Sequence, residues 1–426
     1  MSGFFMREKN NNTPPEHRKK TSRKTMSDTN QTTDETTNNR DNQFESAFGH
    51  VILERYPLQK RTPMRAWNAA DELALAHLKE HIKPEKHHRI LTINDNCGAL
   101  ALPLLNLVVN THVTSWSDSV SSQKAIERNT ERNFQQIITR DGQQKVPTLI
   151  PSTQEPEGFF DVVIIQIPKT LSLLEYQLRT LRDHLTNHSI IIGCGMVKHL
   201  QHSFTELFEQ LVGPTVTSLA KKKARLILPT FNPDLALAPA PKTNQYSLEE
   251  WPLTLTNLSN VFAQSKLDIG TRFFLPNLGA DQQHVRTIFD LGCGNGALGI
   301  AASQTNKEAH ILFCDDSYLA VKSAEQSFHD NSISNPASFK AMDCLSDEQR
   351  KADLILCNPP FHQNNTVGTH IALRMFQQAQ QHLTEQGELR VVGNRHLDYR
   401  IPLKRLFKTV NILDSNKKFS IYQALN

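Results

Sequence analysis

The stretch TIFDLGCGNG, residues 287–296, decides the reading of this chain. A β-type apolar run ends in an acid, Asp290. Gly292, Cys293, Gly294, Asn295 and Gly296 follow, and a helix-like run rich in Ala and Ile, ALGIAAS, begins at residue 297. Glycines let a backbone turn sharply and approach a ligand closely. Strand–glycine loop–helix junctions occur in nucleotide-binding folds of many kinds, so the loop alone says little. A second acid sharpens it: Asp315 closes the next strand-like run, 25 residues beyond Asp290. A carboxylate there can hold both hydroxyls of a ribose. No Walker-type lysine and hydroxyl follow the glycines, which disfavours ATP hydrolysis.

Outward from that loop, short apolar runs alternate with amphipathic stretches. ILTI (90–93), VVII (162–165) and III (190–192) lie before it; ILFC (311–314), LILC (354–357) and LRVV (389–392) lie after it. Buried strands spaced by helix-length segments predict α/β units around a mainly parallel sheet. The halves repeat each other. Shifted back by 198 positions, Gly296-Ala297-Leu298 falls on Gly98-Ala99-Leu100, Asp316-Ser317 on Asp118-Ser119, Lys322 on Lys124 and Glu325 on Glu127. After a six-residue adjustment Asp353 falls on Asp161 and Asn358 on Gln166. An ordered series at a nearly fixed offset points to a duplicated domain. The expected divisions are a first domain over 44–228, a proline-rich connection over 229–245 and a second domain over 246–426. Residues 1–43 carry almost no aliphatic side chains and are expected to be disordered. Their basic cluster, Arg18, Lys19, Lys20, Arg23 and Lys24, reads as a solvated tail.

Composition narrows the class. The 426 residues are 38% hydrophobic and 21% charged, enough for ordinary cores, with a formal net charge of +4. No apolar run approaches the ~18 residues that cross a bilayer, and the polar start lacks a signal-type stretch. The six cysteines, Cys97, Cys194, Cys293, Cys314, Cys344 and Cys357, form no C-x-x-C pair. No zinc site or disulfide framework is expected, and a reducing cytoplasm is the default.

The second chemical signal is Asn358-Pro359-Pro360-Phe361, directly after LILC. Two prolines at a strand end stiffen the backbone and remove two N–H donors. What remains is an array of acceptors, the Asn358 side-chain oxygen and the Pro359 carbonyl, suited to an exocyclic NH2 group. Such a nitrogen is a poor nucleophile because its lone pair is delocalised. Two acceptors can orient its hydrogens and aim the lone pair at an electrophilic carbon. Phe361 can stack on a flat group. The first half lacks this set: Thr92 stands for Asp290, Asn94 for Gly292, Asn96 for Gly294, Ser117 for Asp315, and Gln166-Ile167-Pro168-Lys169 for the tetrad. It is expected to bind a ligand at this loop poorly or not at all, and to serve in substrate binding or bracing. Its run Lys221, Lys222, Lys223, Ala224, Arg225 could meet phosphates.

The D-x-G-x-G-x-G loop resembles the S-adenosylmethionine site of class I methyltransferases. That resemblance implies two tandem Rossmann-like domains, the first degenerate. It places the loop against the methionine part of the cofactor, Asp315 on the ribose and Asp343 near the adenine amino group. Asp316 is a weaker ribose candidate, because it can cap the following helix. The N-P-P-F tetrad resembles that of enzymes acting on amino nitrogens conjugated to planar systems. Over residues 44–426 the chain is similar to the guanine-N2 ribosomal RNA methyltransferases of bacteria, in particular those of the large subunit. PMRAWNAADE (63–72), IPKTLSLLEYQLRTLR (167–182), KKARLI (222–227), LDIGTRFF (267–274), LCNPPFHQ (356–363) and NRHLDY (394–399) carry that likeness. It implies methylation of one guanine N2 in 23S ribosomal RNA and favours protein-free RNA as substrate. The sulfonium carries its own activation, so no metal is expected, and a monomer is the simplest state because the duplication already supplies two domains; a cytoplasmic enzyme is expected. In this reading Asn358 and Pro359 hold the amino group, Phe361 stacks on the base, and Asn394, Arg395, His396 and Tyr399 shape the pocket. Phe262, Asp268 and Thr271 close over the cofactor. The alternatives are a 16S-directed sister enzyme, a protein glutamine or DNA adenine methyltransferase, and a non-enzymatic RNA-binding assembly factor.

Overall fold

The computed structural model describes residues 42–58, 64–83, 85–107, 111–135, 145–278, 285–360 and 366–426. The tail cluster Arg18–Lys24 and Phe361 therefore lie outside the described residues. Residues 42–426 form one compact unit.

A hairpin, β1 (Gln43–Ser46) and β2 (Gly49–Ile52), opens the described chain. The first sheet contains β3 (Arg89–Ile93), β4 (His112–Ser117), β5 (Thr148–Pro151), β6 (Val162–Gln166), β7 (Ile190–Met196), β8 (Thr215–Thr217) and β9 (Ala224–Pro229). A second hairpin, β10 (Asn244–Leu248) and β11 (Leu253–Asn257), follows. The second sheet contains β12 (Thr287–Leu291), β13 (His310–Asp315), β14 (Ala337–Ala341), β15 (Ala352–Cys357), β16 (Leu383–Asn394), β17 (Thr409–Ser415) and β18 (Phe419–Leu425).

The two seven-stranded sheets have the same order, β5-β4-β3-β6-β7-β9-β8 and β14-β13-β12-β15-β16-β18-β17. In each sheet six strands share one direction and one, β9 or β18, runs against them between its two neighbours. The runs read as strands form β3, β6, β7, β12, β13, β15 and β16. They are almost wholly apolar because both faces of each sheet are covered. Ile288, Phe313 and Leu356 pack on Ile300 and Ala301 from one face. Phe289, Leu312 and Ile355 pack on Phe376 and Leu383 from the other. In the first sheet Ile90 and Ile164 face Leu75 and Leu78, while Leu91 and Val163 face Leu174 and Leu178.

The halves meet through the helices Val120–Arg132 and Tyr318–Asp330. Ser119 and Ser317 cap their own helices, accepting from the Ser122 and Ala320 amides at 3.1 Å each. The preceding acids reach across. Asp316 accepts from Ser119 Oγ and the Ser121 amide, both at 2.7 Å. Asp118 accepts from Ser317 Oγ at 2.6 Å and the Leu319 amide at 2.9 Å. Each helix start is thus completed by a carboxylate from the other half, where backbone N–H groups lack helical partners. In open parallel sheets a ligand sits where the strand order reverses, outside the carboxyl ends. Here that place lies between β12 and β15.

Candidate active site

A cavity of about 580 Å³ opens at that crevice. Gly292, Cys293, Gly294 and Asn295 line it after β12, Asp315 and Asp316 after β13, Asp343 after β14, and Asn358, Pro359 and Pro360 after β15. All three glycines of the loop lie at positive φ, Gly292 at 75°. Gly294 has φ 54°, and a Cβ there would meet nothing within 4 Å, so the main chain itself faces the open space. Gly296 has φ 84°, and a Cβ would lie 3.2 Å from the Ala324 Cα of the neighbouring helix. Gly296 therefore sets the packing under the loop and does not line the cavity. Nor does Asp290. It is buried, and its carboxylate accepts the Gly299 amide at 2.8 Å, bracing the start of the helix Ala297–Thr305. Burial pushes its carboxyl up to about 8.

Asp315 accepts from the Gly294 amide and the Ser317 amide at 3.0 Å each. Burial pushes its carboxyl up to about 6, against the two amide bonds that lower it. It ties the glycine loop to the end of β13 at the cavity wall. Asn295 donates to Asn257 Oδ1 at 2.9 Å and to the Tyr246 hydroxyl at 3.2 Å, fastening the loop to the β10–β11 hairpin. Asp316 lines the cavity, but its two oxygens are taken by the first half. Asp343 is buried in an ion pair with Arg374, which projects from the long helix Thr366–His382.

Asn358 Nδ2 donates to Thr271 Oγ1 at 2.8 Å and to Asp268 Oδ2 at 3.1 Å. Its Oδ1 is buried and has no partner among the described residues. The more distant candidates are not brought to the cavity. Arg395 and His396 are exposed on the turn after β16, and Tyr399 is buried in the core with its ring 5.1 Å from Phe376. Lys221, Lys222 and Lys223 are exposed on the tight turn before β9, with Lys222 paired to Glu72 at 2.7 Å; Arg225 is half-buried. The cavity also has walls that sequence reasoning missed. Arg55, Tyr56, Met64 and Ser121 of the first half line it, as does Arg374. Arg128 lies 4.4 Å over the Tyr56 ring.

In the corresponding corner of the first half the loop is bonded to its own side chains. Asp95 is fully buried and gathers the amides of Cys97, Gly98, Ala99, Leu100 and Ala101 at 2.8–3.3 Å. An internal carboxylate thus fills the loop where a ligand would approach. Gln166, at the place of Asn358, donates from Nε2 to Asp71 and accepts from Asn96 Nδ2 at 2.6 Å.

A family model described as RLMG N-terminal domain matches residues 41–234, and one described as Methyltransferase small domain matches residues 252–423. A protein of Pseudomonas putida (strain GB-1) named Ribosomal RNA large subunit methyltransferase G is 41% identical over 88% of this chain and 98% of its own length. A protein of the same name from Pseudomonas paraeruginosa (strain DSM 24068 / PA7) is 42% identical over 89% of this chain and 99% of its own. The chain belongs to the ribosomal RNA large subunit methyltransferase G family. The fold has a solved counterpart in a T. thermophilus 16S rRNA N2 methyltransferase in complex with AdoMet and guanosine. Its TM-score is 0.68 at 19% identity, over 90% of this chain and 97% of that one. Within the family reading, the open loop and free acceptor of the second half stand against the self-filled first half.

Proposed function

We propose that this protein transfers a methyl group from S-adenosylmethionine to the exocyclic N2 of one guanine in 23S ribosomal RNA. One observation carries the proposal. In a chain of this family, the glycine loop, Asp315 and the Asn358-Pro359-Pro360 corner line one cavity of about 580 Å³. The residues fit the cofactor: the bare backbone at Gly294 leaves room against the loop, and Asp315 offers a carboxylate at the strand end suited to ribose hydroxyls. Asp343 and Arg374 would flank the adenine. Bound S-adenosylmethionine supplies a methyl group already activated on a sulfonium.

The chain supplies position, which removes orientational freedom from the reacting groups. Asn358 Oδ1 and the Pro359 carbonyl accept the two amino hydrogens of the guanine and aim the nitrogen lone pair. Phe361 stacks on the base. The product amine is strongly acidic, so its proton passes to water without a dedicated base. The exposed turn Lys221–Lys223 and the residues Arg395 and His396 lie outside the cavity and are offered to the RNA around the target base. The substrate is protein-free RNA and the enzyme acts as a cytoplasmic monomer. Among the described residues no helix is long and apolar enough to cross a membrane.

The test uses purified protein, tritiated S-adenosylmethionine, naked 23S RNA, naked 16S RNA and both subunits from a strain deleted for this gene. The labelled nucleoside is identified by mass spectrometry. N2-methylguanosine in naked 23S RNA is the expected result. The same nucleoside in 16S RNA or the small subunit refutes the large-subunit assignment. No label in any RNA, with cofactor bound, refutes the reaction.

A further inference from the structure

We infer that Asp268 and Thr271 are positioning residues for the transfer: together they hold the Asn358 amide in the one orientation that leaves its oxygen for the substrate amino group. The inference rests on the reading of the site above. It begins with the chemistry of an amide, whose two ends are nearly alike in shape and opposite in hydrogen bonding. Left to itself, Asn358 could present either NH2 or C=O to the substrate. An NH2 presented to another NH2 would repel it.

Asp268 removes the choice. An ionised carboxylate only accepts, so the amide end beside it must be the NH2. Asp268 Oδ2 lies 3.1 Å from Asn358 Nδ2, and Thr271 Oγ1 lies 2.8 Å from the same nitrogen. The two holders are themselves fixed. Asp268 caps the short helix Ile269–Phe274 and accepts the Thr271 amide at 3.0 Å. Both amide hydrogens are consumed, and Oδ1 is left buried without a partner among the described residues. A buried acceptor with no partner is uncommon and costly in a folded protein. It persists here on a residue that lines the cavity, as do Asp268 and Thr271.

The duplicated half supplies an independent comparison. Gln166 also donates from its amide nitrogen to an acid, Asp71, on the helix before the first strand of its sheet. Its oxygen, however, is taken by Asn96 at 2.6 Å. Position 96 corresponds to Gly294, which has no side chain. The grip on the nitrogen end is present in both halves. Only in the second is the oxygen end released.

The experiment measures single-turnover rate on naked 23S RNA, cofactor affinity by calorimetry and melting temperature for a set of variants. Asp268→Ala is expected to lower the rate by about tenfold and Thr271→Val by several-fold, with cofactor affinity unchanged. Asp268→Asn keeps the helix cap but can turn either amide end toward Asn358, so it is expected to melt like wild type and still lose rate. In an Asn358→Ala background neither Asp268→Ala nor Thr271→Val should lower the rate further, because the group they hold is gone. Three results overturn the inference: an unchanged rate in Asp268→Ala, a rate loss that adds fully to Asn358→Ala, or a loss confined to cofactor affinity. If the wild type labels no RNA, it is the reading of the site that fails. An active wild type beside an equally active Asp268→Ala removes only the positioning role.

Discussion

Replacing Asp118 by alanine should cost this protein more stability than any other single carboxylate at the junction of its halves. Asp118 is buried, 5% exposed, and burial raises its carboxyl above the usual range. It accepts from Ser317 Oγ at 2.6 Å, Asn260 Nδ2 at 2.7 Å and the Leu319 amide at 2.9 Å, and also from Ser152 Oγ. The hydroxyls can turn to other partners after truncation. The buried Leu319 amide cannot, whereas the half-buried Asn260 NH2 can meet water. One stranded buried donor costs about 1–3 kcal/mol, and the net loss of the other three bonds, about 1 kcal/mol or less each, brings the expected loss to about 3–4 kcal/mol. Asp316 makes the mirror contacts from a half-exposed position at the cavity edge. Water can replace its carboxylate, so Asp316→Ala should cost only about 1–2 kcal/mol, near the loss of an ordinary helix cap. Urea titration of both variants beside wild type, followed by far-UV circular dichroism at constant pH and salt, gives the comparison. Equal losses, or an Asp118→Ala loss below about 1 kcal/mol, would refute the argument that burial decides what the same contact is worth on its two sides.

Asn358→Ala should abolish most turnover on 23S RNA while calorimetry shows unchanged S-adenosylmethionine affinity; retained turnover would remove that side chain from the reaction. Asp315→Ala should chiefly weaken cofactor binding, by about tenfold or more, and an unchanged affinity would exclude its ribose role. The Asp290 carboxyl, raised from 3.8 to about 8, binds its proton more tightly in the folded state. Its contribution to stability is full below about pH 4 and is lost as pH rises through about 8. Asp290→Asn should therefore flatten the fall in melting temperature between pH 5 and 8; an unaltered slope would count against the buried neutral acid. Gly393→Ala would set a Cβ 2.5 Å from the buried Tyr399 ring, and should cost about 1–3 kcal/mol in a urea titration without altering cofactor affinity.

The parallel core was legible because strands covered on both faces must be apolar throughout, and DLGCGNG marks the turn out of the central one. The duplication was legible for the same reason: Asp118-Ser119 and Asp316-Ser317 occupy matching places. What the pair does was not. Each serine caps its own helix, a contact within three residues, whereas each acid reaches a partner almost 200 positions away. Nothing in local pattern distinguishes the two. Asp290 and Gly296 show a similar limit. Their spacing marks the loop, but whether a loop residue faces the ligand or braces the backbone depends on the helix beneath it. Asp268 and Thr271 stood out as closing the cofactor site, and the structure gives them a more specific contact with Asn358. Arg55, Tyr56, Ser121 and Arg374 gave no signal at all, since they reach the cavity through packing between the halves and from a helix beyond the tetrad.

The exchanged contacts of Asp118 and Asp316 have the form of a two-fold interface, in which patch i touches patch j and patch j touches patch i. Such a contact closes on itself once both copies are used. Joining two halves in one chain has placed both copies side by side and spent them on each other. A lone half would carry one unfilled helix start and one idle acid, and would find them again only in a second molecule like itself. The first half bonds its own loop with Asp95 and keeps the face that its sibling's helix start depends on.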